Sequence, residues 1–440
     1  MRILTISAIV FLNLIIFGMC GYLYLLWCEY WLNLNKANLG STVNYDEQIY
    51  LYNRGYLPTE GSNKSNAYNA TDVKLRTKHS IKYGYENITF VKNGRPRLPS
   101  IRKKLIGLDS KEFFCLTNET NMDCNKKTLE FKKKLLAEFR NVLEEESDVF
   151  KTKKNRYNVT YKGVQQDFQQ KTTNQVLCEL RDAQLNTLKR SDIKFPDSVK
   201  KYIPKRGFYE TRTFNSCAVV ASSGALKNSN LGSFIDSHDV VLRFNHAPTR
   251  GFEKDVGQKT TIRLVNSQVV TRPEFNFLGS IIYKNITLVL WDPSNYSSNL
   301  EDWLKHPEFN LFPNFMQYKK QERKARAFIL NPITIWDIWN FLQRNSPSRL
   351  RRNPPSSGFL GLRLLLPVCN TVNVMEYVPS TRLTKRCHYY DPDENPACTF
   401  GVWHPLAAEK LLSYYVNVAS DKDAFQNGFI TIQGFRNLNC

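Results

Sequence analysis

One apolar run near the N-terminus constrains this 440-residue chain more than any other feature. From Ile3 to Trp27 only three polar residues interrupt it, and no charge lies between Arg2 and Glu29. About 20 apolar residues span a bilayer as a helix. A cleaved signal peptide has a shorter apolar core of about 7–15 residues and a small-residue cleavage site. Because bulky side chains fill the far end of this run, the sequence predicts an uncleaved transmembrane signal-anchor at residues 6–27.

The charges that flank this run predict its orientation. Arg2 and the α-amino group precede it, whereas Glu29 opens the far side and the first cation there is Lys36. Positive charge stays on the cytoplasmic side of a membrane. We therefore expect a cytoplasmic tail at residues 1–5 and a luminal remainder, which is a single-pass type II arrangement. The mean hydropathy of −0.43 excludes a protein with many membrane spans.

Glycosylation sequons and cysteines also favour a luminal chain. Ten cysteines occur without any C-x-x-C pair, and the eight beyond the apolar run suit disulfides in an oxidising compartment. The net charge of +21 suggests an anionic partner. Nucleic acid is set aside because a luminal chain does not meet it. Seven N-x-S/T sequons are predicted glycosylation sites: Asn63, Asn69, Asn87, Asn118, Asn158, Asn285 and Asn295.

The chain divides into a polar stem, predicted at residues 28–125, and a folded domain at residues 126–440. A helical pattern covers Leu129–Phe150, and strand-length apolar runs then alternate with helical segments. This alternation predicts an α/β fold with a largely parallel sheet. Strands are predicted at Cys217–Val220, Asp239–Phe244, Thr260–Val265, Ile286–Trp291 and Val372–Tyr377. Helices are predicted over Ala225–Leu231 and near Ile335–Leu342, Phe359–Val368 and Leu406–Val416.

Two Ser-Ser-Gly triplets and two asparagines stand at the ends of predicted elements. Ser222-Ser223-Gly224 follows a strand, and Ser356-Ser357-Gly358 opens a helix. Hydroxyls and N–H groups at a helix start can bind phosphate, although simple N-capping is the commoner role of such a triplet. Asn245 and Asn266 end strands, where an amide can bind a sugar hydroxyl or a base edge, or form an Asx-turn.

His404 is the candidate general base. It precedes Pro405, so its backbone is extended and its ring can project from the start of the following helix. The positive end of the helix dipole favours neutral imidazole, which can accept a proton. Lys410 could supply positive charge nearby. A D-x-D sequence at Asp391-Pro392-Asp393 could hold a metal, but its proline and the flanking cysteines favour a surface loop.

Four segments together resemble the motifs of the sialyltransferase family. Residues Cys217 to Gln268 resemble the large motif, Pro354 to Pro379 the small motif, His388 to Asp391 the third motif, and His404 to Lys410 the H-x(4)-E motif. They occur in order over about 190 residues. The sequence Asn-Pro-Pro-Ser-Ser-Gly and the final segment Gly434 to Cys440 are most similar to the β-galactoside α2,6-sialyltransferase branch.

The resemblance implies a fold and a reaction. The fold would be a single Rossmann-like catalytic domain of the glycosyltransferase-A-variant type, with a largely parallel sheet, behind the transmembrane helix and stem. The reaction would be inverting, metal-independent transfer of sialic acid from CMP-sialic acid to the 6-hydroxyl of terminal β-galactose, or GalNAc, on glycoprotein glycans. Such a protein would lie in the Golgi membrane. The alternatives are α2,3 or α2,8 linkage, or a non-catalytic luminal glycan-binding relative.

The resemblance also assigns residues. His404 would be the catalytic base, and Glu308 and Asp391 would contact the acceptor. Trp403 and His388 stand where this branch often has Tyr. The donor CMP-sialic acid would contact Ser222, Asn245, Asn266, Ser356, Ser357, Gly358, His388, Trp403 and Lys410. The implied disulfides are Cys178–Cys440, Cys217–Cys369 and Cys387–Cys398, while Cys115–Cys124 is expected from proximity in the sequence.

Overall fold

A computed structural model describes the chain at residues 110–116, 119–149, 155–192, 195–210, 213–392, 394, 397–401 and 403–440. The predicted tail, the predicted anchor and most of the predicted stem lie outside these residues, as do the sequons at Asn63, Asn69, Asn87 and Asn118. None of the helices in the described ranges is long and apolar enough to cross a membrane.

Seven strands form the one named sheet of the described residues, in the order β5-β4-β3-β2-β1-β6-β7. Every neighbouring pair is parallel except β6 and β7, which are antiparallel. The expected largely parallel sheet is therefore confirmed. The strands are β1 Phe214–Val220, β2 Val240–Phe244, β3 Ile262–Asn266, β4 Thr287–Trp291, β5 Ala327–Ile329, β6 Cys369–Met375 and β7 Phe429–Gln433.

Helices connect these strands and cover both faces of the sheet. The α-helices are α1 Asn121–Val149, α2 Thr173–Asp182, α3 Asp197–Lys200, α4 Gly232–Asp236, α5 Glu253–Val256, α6 Ser267–Thr271, α7 Leu300–Lys305, α8 Phe312–Gln321, α9 Pro332–Arg344, α10 Ser357–Leu365, α11 Ala397–Phe400 and α12 Leu406–Tyr415. Single turns of 3₁₀-helix lie at Ser110–Phe113, Phe168–Gln170, Phe208–Glu210, Gly224–Leu226, Pro273–Phe275, Ile281–Tyr283 and Phe435–Asn437, and a π-helical turn lies at Asp423–Asn427.

The central strands are buried on both faces, as parallel strands covered by helices usually are. All five residues of β2 are buried. Along β1, Cys217 and Val219 belong to the large core cluster, which also includes residues of α1, α9, α10 and α12. Ala218 and Val220 belong to a smaller cluster that includes residues of α4 and α5. Successive side chains of a strand point to opposite faces, so these two clusters lie on the two sides of the sheet.

The long helix α1 packs on α12, the helix that follows the candidate base. Its cap is Thr120, whose hydroxyl accepts a hydrogen bond from the Asp123 backbone N–H (3.1 Å). Phe131, Leu135 and Phe139 recur every four residues and are fully buried. The helix predicted over Leu129–Phe150 is thus present but begins earlier. The boundary at residues 125 and 126 stays a prediction, and α1 starts before it.

Several predicted element boundaries were wrong. Ala225–Leu231 is not a helix, because a 3₁₀ turn at Gly224–Leu226 is followed by the separate helix α4. The helix predicted over Phe359–Val368 is α10, which begins earlier, at Ser357, and ends earlier, at Leu365. Cys369 then begins β6. Strands β5 and β7 were not predicted. β5 has only three residues, and β7 forms the antiparallel edge beside β6.

Candidate active site

The carboxyl ends of the parallel strands meet along one edge of the sheet, and the candidate residues lie there. Strand β1 lies between β2 and β6. The chain therefore adds strands on one side of β1 as far as β5 and then returns to its other side with β6. In open α/β sheets, ligands bind outside the carboxyl ends where the strand order reverses in this way. Ser222 follows β1, Asn245 follows β2, Asn266 ends β3 and Tyr377 follows β6. The topology therefore brings the predicted donor residues together.

The first Ser-Ser-Gly turn lies against the loop that carries His388. The backbone N–H of Tyr389 donates to the carbonyl of Ser222 (3.2 Å), and Ser223 forms an antiparallel bridge with His388. A Cβ added to Gly224 would come within 2.5 Å of the backbone of this loop, so the position requires glycine. The structure thereby places His388 beside the turn predicted to bind the donor.

The two asparagines form a connected pair at the ends of β2 and β3. The side-chain oxygen of Asn245 accepts from the Asn266 N–H, and that of Asn266 caps α6 by accepting from the Val269 N–H (3.0 Å each). Each amide uses its oxygen within the protein and keeps its N–H₂ group as a donor. Arg263 Nη1 donates to the carbonyls of Asn245 (2.9 Å) and Ala247 (3.0 Å), which fixes this turn.

In the second triplet, Ser356 has the N-capping role that is common for such a triplet and is also held by Glu409. Its hydroxyl caps α10 by accepting from the Phe359 N–H (3.2 Å) and donates to Glu409 (2.5 Å). Its backbone N–H donates to the other oxygen of Glu409 (2.8 Å), and the Tyr377 hydroxyl donates to the same carboxylate (2.6 Å). Glu409 thus engages both the hydroxyl and the backbone N–H of Ser356, and the contact of Ser356 with CMP stays a prediction.

Ser357 and Gly358 are the half-buried members of the second triplet and form the first turn of α10. The Ser357 hydroxyl accepts a hydrogen bond from the indole N–H of Trp291 (3.1 Å), which links this turn to the end of β4. A Cβ added to Gly358 would lie 2.6 Å from the Tyr377 ring. Backbone N–H groups at a helix start attract anions, so this turn is the better candidate for phosphate.

His404 is held in one orientation and stays neutral. Its Nδ1 lies 2.8 Å from the carbonyl oxygen of Pro354. A carbonyl can only accept, so Nδ1 carries the proton and Nε2 keeps its lone pair. Burial lowers the pKa of His404 to about 4, and the hydrogen bond to Pro354 raises it by less. A neutral imidazole with an available Nε2 is the form that a general base requires.

Lys410, a predicted donor contact, packs on the face of α12 that is turned towards α1. Its side chain is buried between α12 and α1, with Nζ 5.7 Å from the centroid of the Phe139 ring and 6.0 Å from that of Tyr377. Nζ donates to the carbonyl of Thr399. Burial lowers the pKa of Lys410 to about 7. Position 410 lies six residues from His404 and on a face of α12 that packs on α1, and its contact with the donor stays a prediction.

The D-x-D sequence shows no metal cluster in the described part of the chain. Asp391 lies 3.9 Å from Nδ1 of His388, whose ring stacks on Tyr390 at 5.0 Å between centroids. Asp393 lies outside the described residues. Across the described ranges, no group of three or more His, Cys, Asp or Glu side chains could hold a metal ion.

An aromatic and charged cluster adjoins the candidate base. The Trp403 ring contacts the His404 ring edge-on, with centroids 6.4 Å apart, and the Arg156 guanidinium lies 5.9 Å from the Trp403 centroid. Glu308 pairs with Arg156 (2.8 Å) and accepts from the Tyr157 hydroxyl (2.7 Å). Burial raises the pKa of Glu308 to about 8. Trp403 and Glu308 are therefore brought together beside His404.

All four disulfides join the partners expected from the sequence: Cys115–Cys124, Cys178–Cys440, Cys217–Cys369 and Cys387–Cys398. Cys217–Cys369 links the adjacent parallel strands β1 and β6, and so ties together the two motifs at the switch in strand order. The three sequons in the described ranges, Asn158, Asn285 and Asn295, have exposed asparagine side chains.

Four site-supporting residues were not assigned a role from the sequence. Glu409 and Tyr377 hold the second Ser-Ser-Gly turn, Trp291 bonds Ser357, and Arg263 supports the asparagine turn. Arg263 lies in a buried strand and Glu409 lies on the apolar face of a helix. Both positions indicate a buried charge, which needs partners. The identity of those partners depends on the tertiary structure.

Comparisons with known proteins agree with the motifs. The family model described as glycosyltransferase family 29 (sialyltransferase) matches residues 142–415. The beta-galactoside alpha-2,6-sialyltransferase 2 of Gallus gallus is 43% identical over 290 residues, which cover 65% of this chain and 54% of that protein. The Homo sapiens protein of the same name is 44% identical over 270 residues, covering 60% and 51%.

The chain thus spans about half the length of the curated relatives that it matches. A crystal structure of a mammalian sialyltransferase aligns at 22% identity and a TM-score of 0.32, covering 59% of this chain and 80% of that one. The family match covers well over half of the present sequence and includes both Ser-Ser-Gly turns and His404. The chain belongs to glycosyltransferase family 29, the sialyltransferases.

Proposed function

We propose that this chain transfers sialic acid from CMP-sialic acid to the 6-hydroxyl of a terminal β-galactose, or GalNAc, on glycoprotein glycans. One observation carries the proposal: His404 is neutral, and its Nδ1 hydrogen bond to Pro354 leaves Nε2 as a base beside the donor-binding edge. The names of the two relatives compared above support the α2,6 linkage. We assign the domain to the Rossmann-like glycosyltransferase-A-variant type.

The reaction is a single displacement at the anomeric carbon of sialic acid. The galactose O6 forms a bond to this carbon as the bond to the CMP phosphate breaks, and CMP leaves with the electron pair. Nε2 of His404 takes the O6 proton. Attack opposite to the leaving group inverts the anomeric configuration. The N–H groups of Ser357 and Gly358, at the start of α10, stabilise the charge that develops on the leaving phosphate.

The other donor contacts follow from the edge of the sheet. The N–H₂ groups of Asn245 and Asn266 and the hydroxyl of Ser222 bind the nucleotide, and His388 lies beside them. CMP-sialic acid carries one phosphate, so the reaction needs no metal to bridge two phosphates. Activity should therefore persist in EDTA, and loss of activity that manganese restores would make Asp391 and its D-x-D sequence the centre of the mechanism.

The acceptor binds on the Trp403 side of His404. The Trp403 ring offers an aromatic face for a sugar, and Glu308, which Arg156 and Tyr157 hold in place, offers a carboxylate that can accept from a sugar hydroxyl. Asp391 is a second acceptor contact. The partners are thus CMP-sialic acid and galactose-terminated glycans, at a Golgi membrane that the chain crosses once as a type II protein.

Product analysis tests this function. The purified chain is incubated with CMP-sialic acid and a β1,4-galactoside, and the linkage of the product is determined by methylation analysis. Substitution at galactose O6 is expected. Substitution at O3 would replace α2,6 by α2,3 linkage, and transfer to a sialic acid acceptor would replace it by α2,8 linkage. If the chain neither transfers sialic acid nor hydrolyses the donor, it is a non-catalytic glycan-binding relative.

A further inference from the structure

The last turns of α1 place a buried carboxylate against the segment that precedes the second Ser-Ser-Gly triplet. Glu146 is 2% exposed, and its Oε1 lies 2.6 Å from Nε of Arg351. Its other oxygen is also buried, and no described residue forms a hydrogen bond with it. Burial raises the pKa of Glu146 and the Arg351 guanidinium lowers it. The arginine therefore compensates a charge that the protein interior would otherwise disfavour.

The segment that carries Arg351 also holds both residues of the Trp-His pair. The Asn353 side chain donates from Nδ2 to the carbonyl of Trp403 (2.7 Å). The carbonyl of Pro354 accepts from His404 Nδ1 (2.8 Å). On its other side the segment is tied to α9, because the Trp339 indole N–H donates to the carbonyl of Arg351 (2.8 Å). The position of residues 351–354 thus sets the position of the base.

We propose that the Glu146–Arg351 ion pair is a positioning device for His404, acting through residues 351–354. Neither side chain contacts the substrate in the proposed reaction, so both are positioning residues. The inference rests on the proposed function of His404 as the base. It gives the last turns of α1, where Glu146 lies inside the family match at residues 142–415, a role in the geometry of the reaction.

Neutralising the carboxylate tests this role. Glu146→Gln keeps the shape of the side chain but removes the charge that holds the guanidinium. A displacement of about 1 Å at a reacting group can lower a rate about 100-fold, so kcat should fall by about 10- to 100-fold. The KM for CMP-sialic acid should stay within about twofold, since the donor contacts are retained.

A matched control lies on the same helix. Lys132 of α1 pairs with Asp421 (2.8 Å), beyond the far end of α12. Asp421→Asn removes this ion pair without touching residues 351–354, so its kcat should stay within about twofold of that of the unmodified chain. All variants are compared as the full-length chain, with circular dichroism to measure the folded fraction.

A second pair of variants separates positioning from general loss of stability. Arg351→Gln leaves the Glu146 carboxylate buried without its cation, whereas Arg351→Gln combined with Glu146→Gln replaces the ion pair by two neutral amides. The double variant should retain more kcat per folded molecule than Arg351→Gln alone. This comparison also decides the matter if Glu146→Gln does not fold.

Three results would overturn the inference: a folded Glu146→Gln protein with unchanged kcat, a variant in which donor KM rises while kcat stays level, or a double variant no better than Arg351→Gln. Failure of the proposed function is distinguishable from these. In that case the unmodified chain transfers no sialic acid, before any variant is compared.

Discussion

Replacing Glu409 by Gln should destabilise the domain far more than its conservative chemistry suggests. The buried carboxylate accepts three hydrogen bonds: from the N–H and hydroxyl of Ser356, and from the hydroxyl of Tyr377. A carboxylate accepts at both oxygens, whereas an amide presents N–H₂ at one end. In Glu409→Gln the N–H₂ group faces either the Ser356 N–H, a donor, or the two hydroxyls, whose protons then lose their acceptor. Burial raises the pKa of Glu409, but all three contacts suit the ionised form.

The magnitude follows from these contacts. A hydrogen bond to a charged group contributes about 1.5–3 kcal/mol, and a buried donor left unsatisfied costs about 1–3 kcal/mol. Glu409→Gln incurs both, so we expect a loss of about 3–5 kcal/mol in the free energy of unfolding. Tyr377→Phe removes one hydrogen bond and leaves the carboxylate with two donors from Ser356. Its loss should be about 1.5–3 kcal/mol.

Urea unfolding monitored by tryptophan fluorescence measures both losses by linear extrapolation. Tyr415→Phe is the matched control. Tyr415 lies on α12, as Glu409 does, but outside the site, and its hydroxyl donates to the backbone carbonyl of Lys171. That variant should lose about 0.5–1.5 kcal/mol, the usual contribution of a neutral hydrogen bond. A Glu409→Gln protein that is no less stable than Tyr377→Phe would refute this account of the second Ser-Ser-Gly turn.

Three further predictions concern charge, covalent structure and topology. Burial lowers the pKa of Lys410 in the folded chain to about 7, from its ordinary value of 10.5. Between these two pH values the unfolded chain binds a proton that the folded chain does not, so the free energy of unfolding should rise with pH. Lys410→Met should lack this rise when the free energy of unfolding is measured at pH 7 and at pH 9.5. Equal pH dependence of the two proteins would contradict the burial of this charge. Cys217→Ser should lower stability by about 2–5 kcal/mol and weaken CMP binding, and peptide mapping that pairs Cys217 with a partner other than Cys369 would argue against the β1–β6 link. Protease treatment of intact microsomes should leave the chain nearly full length and glycosylated, and digestion from its C-terminus would reverse the proposed orientation.

The parts of the site that the sequence predicted are those that depend on local context. His404 could be proposed as a base because Pro405 and a helix follow it, and Asn245 and Asn266 could be proposed as donor contacts because they end apolar strands. The alternation of strands and helices was sufficient to predict the largely parallel sheet. The short strand β5 gave too few residues for a periodic pattern.

The contacts that orient these residues could not be predicted, because they join distant parts of the chain. Glu409 meets Ser356 across 53 residues, and Arg351 meets Glu146 across 205. The packing of Lys410 could not be predicted for a related reason: its nearness to His404 in the sequence does not determine which face of α12 packs on α1. Only the tertiary arrangement selects among the possible partners of a buried charge.

The central claim is that His404 removes the proton from the acceptor hydroxyl. The decisive measurement is kcat for His404→Ala, with CMP affinity determined on the same preparation. We expect kcat to fall by about 10²–10⁴-fold, the usual contribution of a general base, while CMP affinity stays nearly constant because the imidazole faces the acceptor. A His404→Ala protein that keeps more than about a third of the wild-type kcat is incompatible with an effect of that size, and would transfer the role of the base to Asp391 or His388.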